Sequence, residues 1–271
     1  EEDSTGGTLS LILPLRENLN ISPRYQLFTR DLSVPATLTN GTLADGEVSL
    51  AVQQSLGETL SSIFGYSLVY DTRDRKALTR DGYHIVLSQD LAGIGGDVSY
   101  IRTEVTANRW QEILPERGVV GAIKLQGGYI RALGENLRLP DHFFKGGESI
   151  RGFESQGIGP RDALTDDPLG GRIFLAGTAE VIFPMPLIPK EIGLTAAVFA
   201  DVGTLYDPDP ASTTALGVTV LGDDASIRAS AGFSILWESP LGPLRADIGF
   251  PLLDETFDEK QVFRIGGGTQ F

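Results

Sequence analysis

Along most of the chain, apolar and polar positions alternate with a period of two, the pattern of strands with one apolar and one polar face. Leu9, Leu11 and Leu13 open the alternation, and Leu19, Ile21, Tyr25 and Leu27 continue it beyond a turn at Pro14 to Asn18. Leu60, Phe64, Tyr66, Leu68 and Tyr70 share one side, while Ser61, Gly65, Ser67 and Asp71 take the other. Ile101, Thr103, Val105 and Ala107 oppose Arg102, Glu104, Thr106 and Asn108. Later, Val198, Ala200 and Val202 oppose Phe199 and Asp201; Ala231, Phe233, Ile235 and Trp237 oppose Arg228, Ser230 and Ser234; Leu244, Ala246 and Ile248 oppose Arg245 and Asp247. The pattern predicts about eleven strands, or twelve with a further half-strand at the amino end. The last runs from Gln261 to Phe271, weakened or bent by Gly266, Gly267 and Gly268.

Connections fall into two classes. Short turns at Pro14 to Asn18, Asp71 to Asp74 and Pro240 to Pro243 lie at one end, and long polar loops over 31–57, 134–171 and 206–224 at the other. The first long loop, with Asn40-Gly41 and Asp45-Gly46, has room for a short hairpin. An outer-membrane barrel has this asymmetry of short and long connections. Periodicity alone leaves open which face points inward, since a soluble barrel keeps its apolar face inside. Mid-strand charges favour the membrane reading: Arg102, Glu104, Lys124, Glu180, Asp201, Arg228, Arg245, Asp247 and Arg264 all share the polar face, where a wet lumen tolerates them. Tyr70, Tyr83, Trp110, Tyr129, Phe183 and Trp237, near strand ends, predict an interfacial girdle. There is no apolar run long enough for a transmembrane helix and no basic-then-apolar leader. The abrupt opening Glu1-Glu2-Asp3 suggests a piece of a longer precursor.

Composition removes several function classes. A formal charge of -14, from 22 Lys+Arg against 36 Asp+Glu, argues against a nucleic-acid partner. Cysteine is absent (0), so no thiol nucleophile or cysteine metal site exists. His84 and His142 lack metal-ligand spacing. Gly147-Glu148-Ser149 has Arg151 where a nucleophile elbow ends in glycine. Asp90, Glu104, Asp201 and Asp247 read as charge partners on a wet face rather than as a hydrolytic carboxylate pair. The expectation is a non-enzyme with no metal and no cofactor; a barrel-embedded hydrolase is the reading from another class.

The 134–171 loop is too glycine-rich for a helix and too long for a turn, and long ordered loops usually carry function. At its centre, Ile150-Arg151-Gly152-Phe153 resembles the Val/Ile-Arg-Gly-Phe/Tyr signature of the BamA-type outer-membrane assembly-factor family, the bacterial surface antigen superfamily. Gly65 to Asp74, Thr79 to Tyr83, Asp167 to Gly171, Phe199 to Gly203 and Ser239 to Arg245 resemble further family segments, in family order and over most of the chain. The resemblance implies an all-β, antiparallel transmembrane β-barrel: residues 1–271 as the carboxy-terminal portion of a barrel of about sixteen strands, without the periplasmic repeat domains, and with a lumen-inserted loop. It implies an insertase that folds and inserts β-barrel proteins in the bacterial outer membrane. The related alternative is a secretion or translocation pore. Implied partners are the lipid bilayer, unfolded β-barrel clients and assembly lipoproteins reached through the periplasmic domains. The family arginine pairs with acids on the two following strands, which here implies a lock of Arg151 with Glu180 and Asp201. The family's lateral gate lies between its first and last strands, which makes the strand with Gly266, Gly267, Gly268 and Phe271 one lip of a seam.

Overall fold

The computed structural model describes residues 1–41, 47–76, 78–134, 137–185, 188–189, 192–209, 219–239 and 242–267. The strands are β1 (Glu2–Ser10), β2 (Leu13–Arg16), β3 (Leu19–Leu32), β4 (Gly57–Asp71), β5 (Gly82–Gly93), β6 (Gly95–Leu114), β7 (Val119–Ala132), β8 (Gly152–Phe153), β9 (Arg161–Asp162), β10 (Ile173–Pro184), β11 (Leu194–Tyr206), β12 (Val220–Leu221), β13 (Arg228–Ser239), β14 (Gly242–Leu253), β15 (Lys260–Gln261) and β16 (Phe263–Gly267). One sheet of twelve strands runs β1-β3-β4-β5-β6-β7-β10-β11-β13-β14-β16, with β2 paired to β3. Each strand pairs antiparallel with the one before and after it on this path, as an up-and-down meander does. Two small ladders, β8 with β15 and β9 with β12, lie in the loops. No helix among the described residues is long and apolar enough to cross a membrane.

The two faces are sorted in the inverse of a soluble barrel. Leu125, Leu175, Phe233, Ile235 and Phe250 are exposed, whereas Glu180, Asp201, Arg228 and Asp247 are buried. The continuous apolar stripes point away from the face on which the 134–171 loop packs. That polarity settles which side is inside: the apolar face must meet something other than water.

Several local expectations are corrected. Pro14 belongs to β2, so the first turn narrows to Glu17 and Asn18. The 31–57 loop holds a 3-10 turn at Ala36–Thr39 and a helix, α1 (Leu50–Gln54), capped by the Ser49 side chain accepting from Val52 N–H, while residues 42–46, where the hairpin turn is expected, lie outside the described residues. Trp110 leaves the girdle: it shares the even-numbered face of β6 with Glu104 and Asn108 and is buried against Val120 and Ala122. The final segment is not one strand from Gln261, because Lys260–Gln261 pairs with the loop strand β8 and β16 starts only at Phe263. Pro240 and Leu241, residues 210–218 of the third long loop, and Gly268 and Phe271 of the last strand lie outside the described residues.

Candidate functional site

The loop begins on a dry platform. Phe143 stacks edge-on against Phe174 of β10 at 4.7 Å, within a cluster with Ile130 and Leu205. The Arg102 guanidinium lies 4.4 Å from the Phe143 ring and Lys145 Nζ 3.7 Å from the Phe174 ring. Burial pulls the Lys145 ammonium down to about 8. Beside them His142 is buried with neither ring nitrogen hydrogen-bonded, and burial holds it down at about 4.

From there the chain delivers the motif to the polar face. Ile150 and Phe153 are fully buried and cluster with Ile158. Gly203 leaves the room Ile150 needs, since a Cβ there would lie 2.5 Å from Ile150 Cδ1. Gly152 has φ +94, a left-handed backbone that disfavours any side chain. With Ile150 and Phe153 anchored on either side, Arg151 is aimed at the sheet.

Arg151 Nε and Nη2 donate to the two Asp201 oxygens at 2.8 Å each, and its backbone N–H adds a third bond to Asp201 at 3.0 Å. This is bidentate fork geometry. Glu180 lies farther away, with Oε1 3.6 Å from Arg151 Nη1, and Asp247 is 3.7 Å from the same nitrogen. The guanidinium also covers the Phe199 ring at 3.4 Å. Burial alone works against its charge, but the hydrogen bonds to Asp201 and the Asp201, Glu180 and Asp247 carboxylates hold its pKa above the ordinary value.

A second arginine completes the cluster. Arg245 donates to Glu180 and to Asp247 at 2.7 Å each, and to Ser234 at 2.7 Å; the Ser234 hydroxyl also bonds Asp247. Sheet register assembles these residues. Asp201 faces Thr178 across β10 and Ser230 across β13, and Ser234 faces Asp247 across β14. The structure thus brings Arg151, Asp201 and Glu180 together, with Asp201 in direct contact and Glu180 shared chiefly with Arg245. Phe199, Ser234, Arg245 and Asp247 were not assigned to the site from sequence. The signal was present for the last two as inward charges, but their neighbours depend on strand pairing. At the far edge, Gly266 and Gly267 pair with Arg245 and Leu244.

The sheet has counterparts in known proteins. The Omp85 superfamily domain matches residues 1–271. The chain belongs to the Omp85 superfamily. It is 33% identical over 264 residues to the outer membrane protein assembly factor BamA of Neorickettsia risticii, covering 97% of this chain and 33% of that protein. Against BamA of Nitratidesulfovibrio vulgaris the identity is 27%, covering 96% of this chain and 30% of the relative. The sorting and assembly machinery component 50 homolog A of Xenopus laevis is 33% identical over 54% of the chain and 31% of its own length. The crystal structure of BamA from Haemophilus ducreyi lacking POTRA domains 1-3 superposes with a TM-score of 0.79 at 21% identity, covering 97% of this chain and 53% of that one. This Omp85 chain therefore has the antiparallel outer-membrane β-barrel fold, and it spans about a third of the length of the curated BamA relatives.

Proposed function

We propose that the chain is the membrane-embedded part of a factor that folds and inserts β-barrel proteins into the outer membrane. The observation that carries this reading is the buried Arg151–Asp201 fork beneath the Ile-Arg-Gly-Phe motif, on the polar face of a sheet whose other face is largely apolar. The relatives support it: they are named as assembly factors for outer-membrane proteins or as sorting and assembly machinery, rather than for secretion or for an enzymatic reaction.

In this reading Arg151, held by Asp201 and Glu180, locks the loop inside the lumen. β16 forms one lip of a seam, where Gly266 and Gly267 present no side chains to stiffen it. A loosened strand edge is normally a hazard, because unpaired N–H and C=O groups template another strand. Here it gives an unfolded client an edge for β-augmentation. Neither step uses a covalent intermediate, a nucleotide or a metal. Partners are the bilayer, unfolded β-barrel clients and, through periplasmic domains of the longer protein, assembly lipoproteins. The test is reconstitution of the full-length protein in liposomes, measuring client insertion, ion conductance and ester turnover side by side. Accelerated client insertion supports the reading. Conductance with client translocation and no insertion points to a secretion pore, and turnover points to a hydrolase.

A further inference from the structure

The motif loop is fastened on two sides, and the Arg151 fork accounts for one. On the other, Gly152 and Phe153 pair with Gln261 and Lys260. The ladder continues as Glu154 N–H donates to the Glu259 carbonyl at 3.0 Å and Glu259 N–H to the Gly157 carbonyl at 2.9 Å. The Glu259 carboxylate accepts from Arg161 at 3.0 Å. One residue earlier, Asp258 makes a bidentate pair with Arg228 of β13 at 3.0 and 3.1 Å, with both side chains wholly buried.

Immediately after this ladder the chain enters β16. Arg264 of β16 reaches back to the loop, donating to Ser155 Oγ at 3.1 Å with Glu148 at 3.5 Å. Gly249 of β14 marks the crossing: a Cβ there would lie 2.6 Å from Gly152 N and 2.9 Å from Arg151 C. Its own N–H donates to the Val262 carbonyl at 2.8 Å. Only Val262 separates β15 from β16, so Gln261 and Phe263 are two residue steps apart and at most about 7 Å can open between them. A larger displacement of β16 from β14 must therefore pull Lys260 and Gln261 off the motif.

We propose that Gly249, Glu259 and Arg264 are positioning residues that clasp the motif loop to β16, so that loop and seam loosen together. This rests on the reading of β16 as a seam and adds to it a control: the state of the Arg151 lock is transmitted to the edge strand through the 258–264 segment. The contacts involved are separate from those of the lock.

The experiment is amide hydrogen exchange by mass spectrometry on the full-length protein in lipid nanodiscs. Wild type is compared with Arg151→Ala, Gly249→Ala and the double variant Glu259→Ala with Arg264→Ala. The double variant removes two partly exposed side chains and leaves buried Arg161 the Asp166 and Gln156 carbonyls as acceptors, so it disturbs the fold less than a glycine or lock variant, and circular dichroism checks that each variant is folded. Each folded variant is expected to raise exchange roughly tenfold in both the 150–157 and the 263–267 segments, with Glu259→Gln closer to wild type. Wild-type exchange over 263–267 in a variant whose 150–157 segment has loosened overturns the clasp. So does wild-type exchange in both segments of the double variant. Because no client enters the measurement, a protein that inserts nothing in liposomes removes the assembly reading while the exchange result still decides the clasp.

Discussion

At the scale of single residues, the decisive fact about Arg151 is that its partners are as dry as it is. Asp201 and Glu180 are 2% and 3% exposed, so water contributes little screening. Arg151→Ala leaves a buried carboxylate cluster with one cation fewer, and such a loss costs about 3 to 5 kcal/mol. Thermal unfolding in detergent should show it as a lowered midpoint. Asp201→Asn in the Arg151→Ala background should add little, because the pair acts as a unit; additive losses would mean that the two do not share an interaction. Arg151→Lys should recover only part, since an ammonium cannot span both Asp201 oxygens. The sequence placed Arg151, Glu180 and Asp201 on facing surfaces through the motif and the alternation. It left out Arg245 and Asp247 because membership of the cluster depends on Ser234 facing Asp247, a matter of register between strands. His142 carries a second prediction. Its folded pKa, about 4, lies below the ordinary 6.5, so the unfolded chain binds the extra proton first as pH falls. Stability is whole above about 6.5 and declines through the window down to about 4, by up to about 3 kcal/mol. Denaturant unfolding across that window should slope upward with pH, and His142→Phe should flatten the slope.

At the scale of elements, each long strand is two surfaces with opposite demands. Phe233 of β13 is 61% exposed on the apolar side, and an arginine at the bilayer midplane costs about 2 to 4 kcal/mol on a barrel's lipid face. Phe233→Arg should lose that much in vesicle-based denaturant unfolding, while Gln126→Lys, beside Lys124 on the polar face, should change stability by less than about 1 kcal/mol. Equal losses would mean that the faces are assigned backwards. The long strands were legible because period-two alternation over ten or so residues is a repeated signal. The ladders of β8 with β15 and β9 with β12 were not, since two-residue strands have no periodicity and exist only because the loops that carry them meet in space. Trp110 misled for a related reason: nearness to a strand end suggested the interface, but its parity puts it with Glu104 and Asn108 on the inner face.

At the scale of the whole molecule, an interior of paired charges and an exterior of Leu, Val, Ile and aromatic side chains make water the wrong solvent for the folded chain. Leu9, Leu125, Leu175, Phe233 and Ile265 are all more than half exposed, and they belong to strands spread from one end of the sheet to the other. Surfaces of that extent in a soluble protein drive association. Folding should therefore require detergent or lipid: circular dichroism in detergent micelles should show mostly β structure, and dilution into plain buffer should give aggregate or unfolded chain. Lengthening the lipid acyl chains beyond the thickness the strands can span should slow insertion and lower stability, since a strand of about 9 to 11 residues crosses the bilayer only when tilted. A folded, monodisperse monomer in buffer without amphiphile would contradict the outward assignment of the apolar face, and with it the account of why the charges of Arg151, Asp201, Glu180, Arg245 and Asp247 are gathered on the other side.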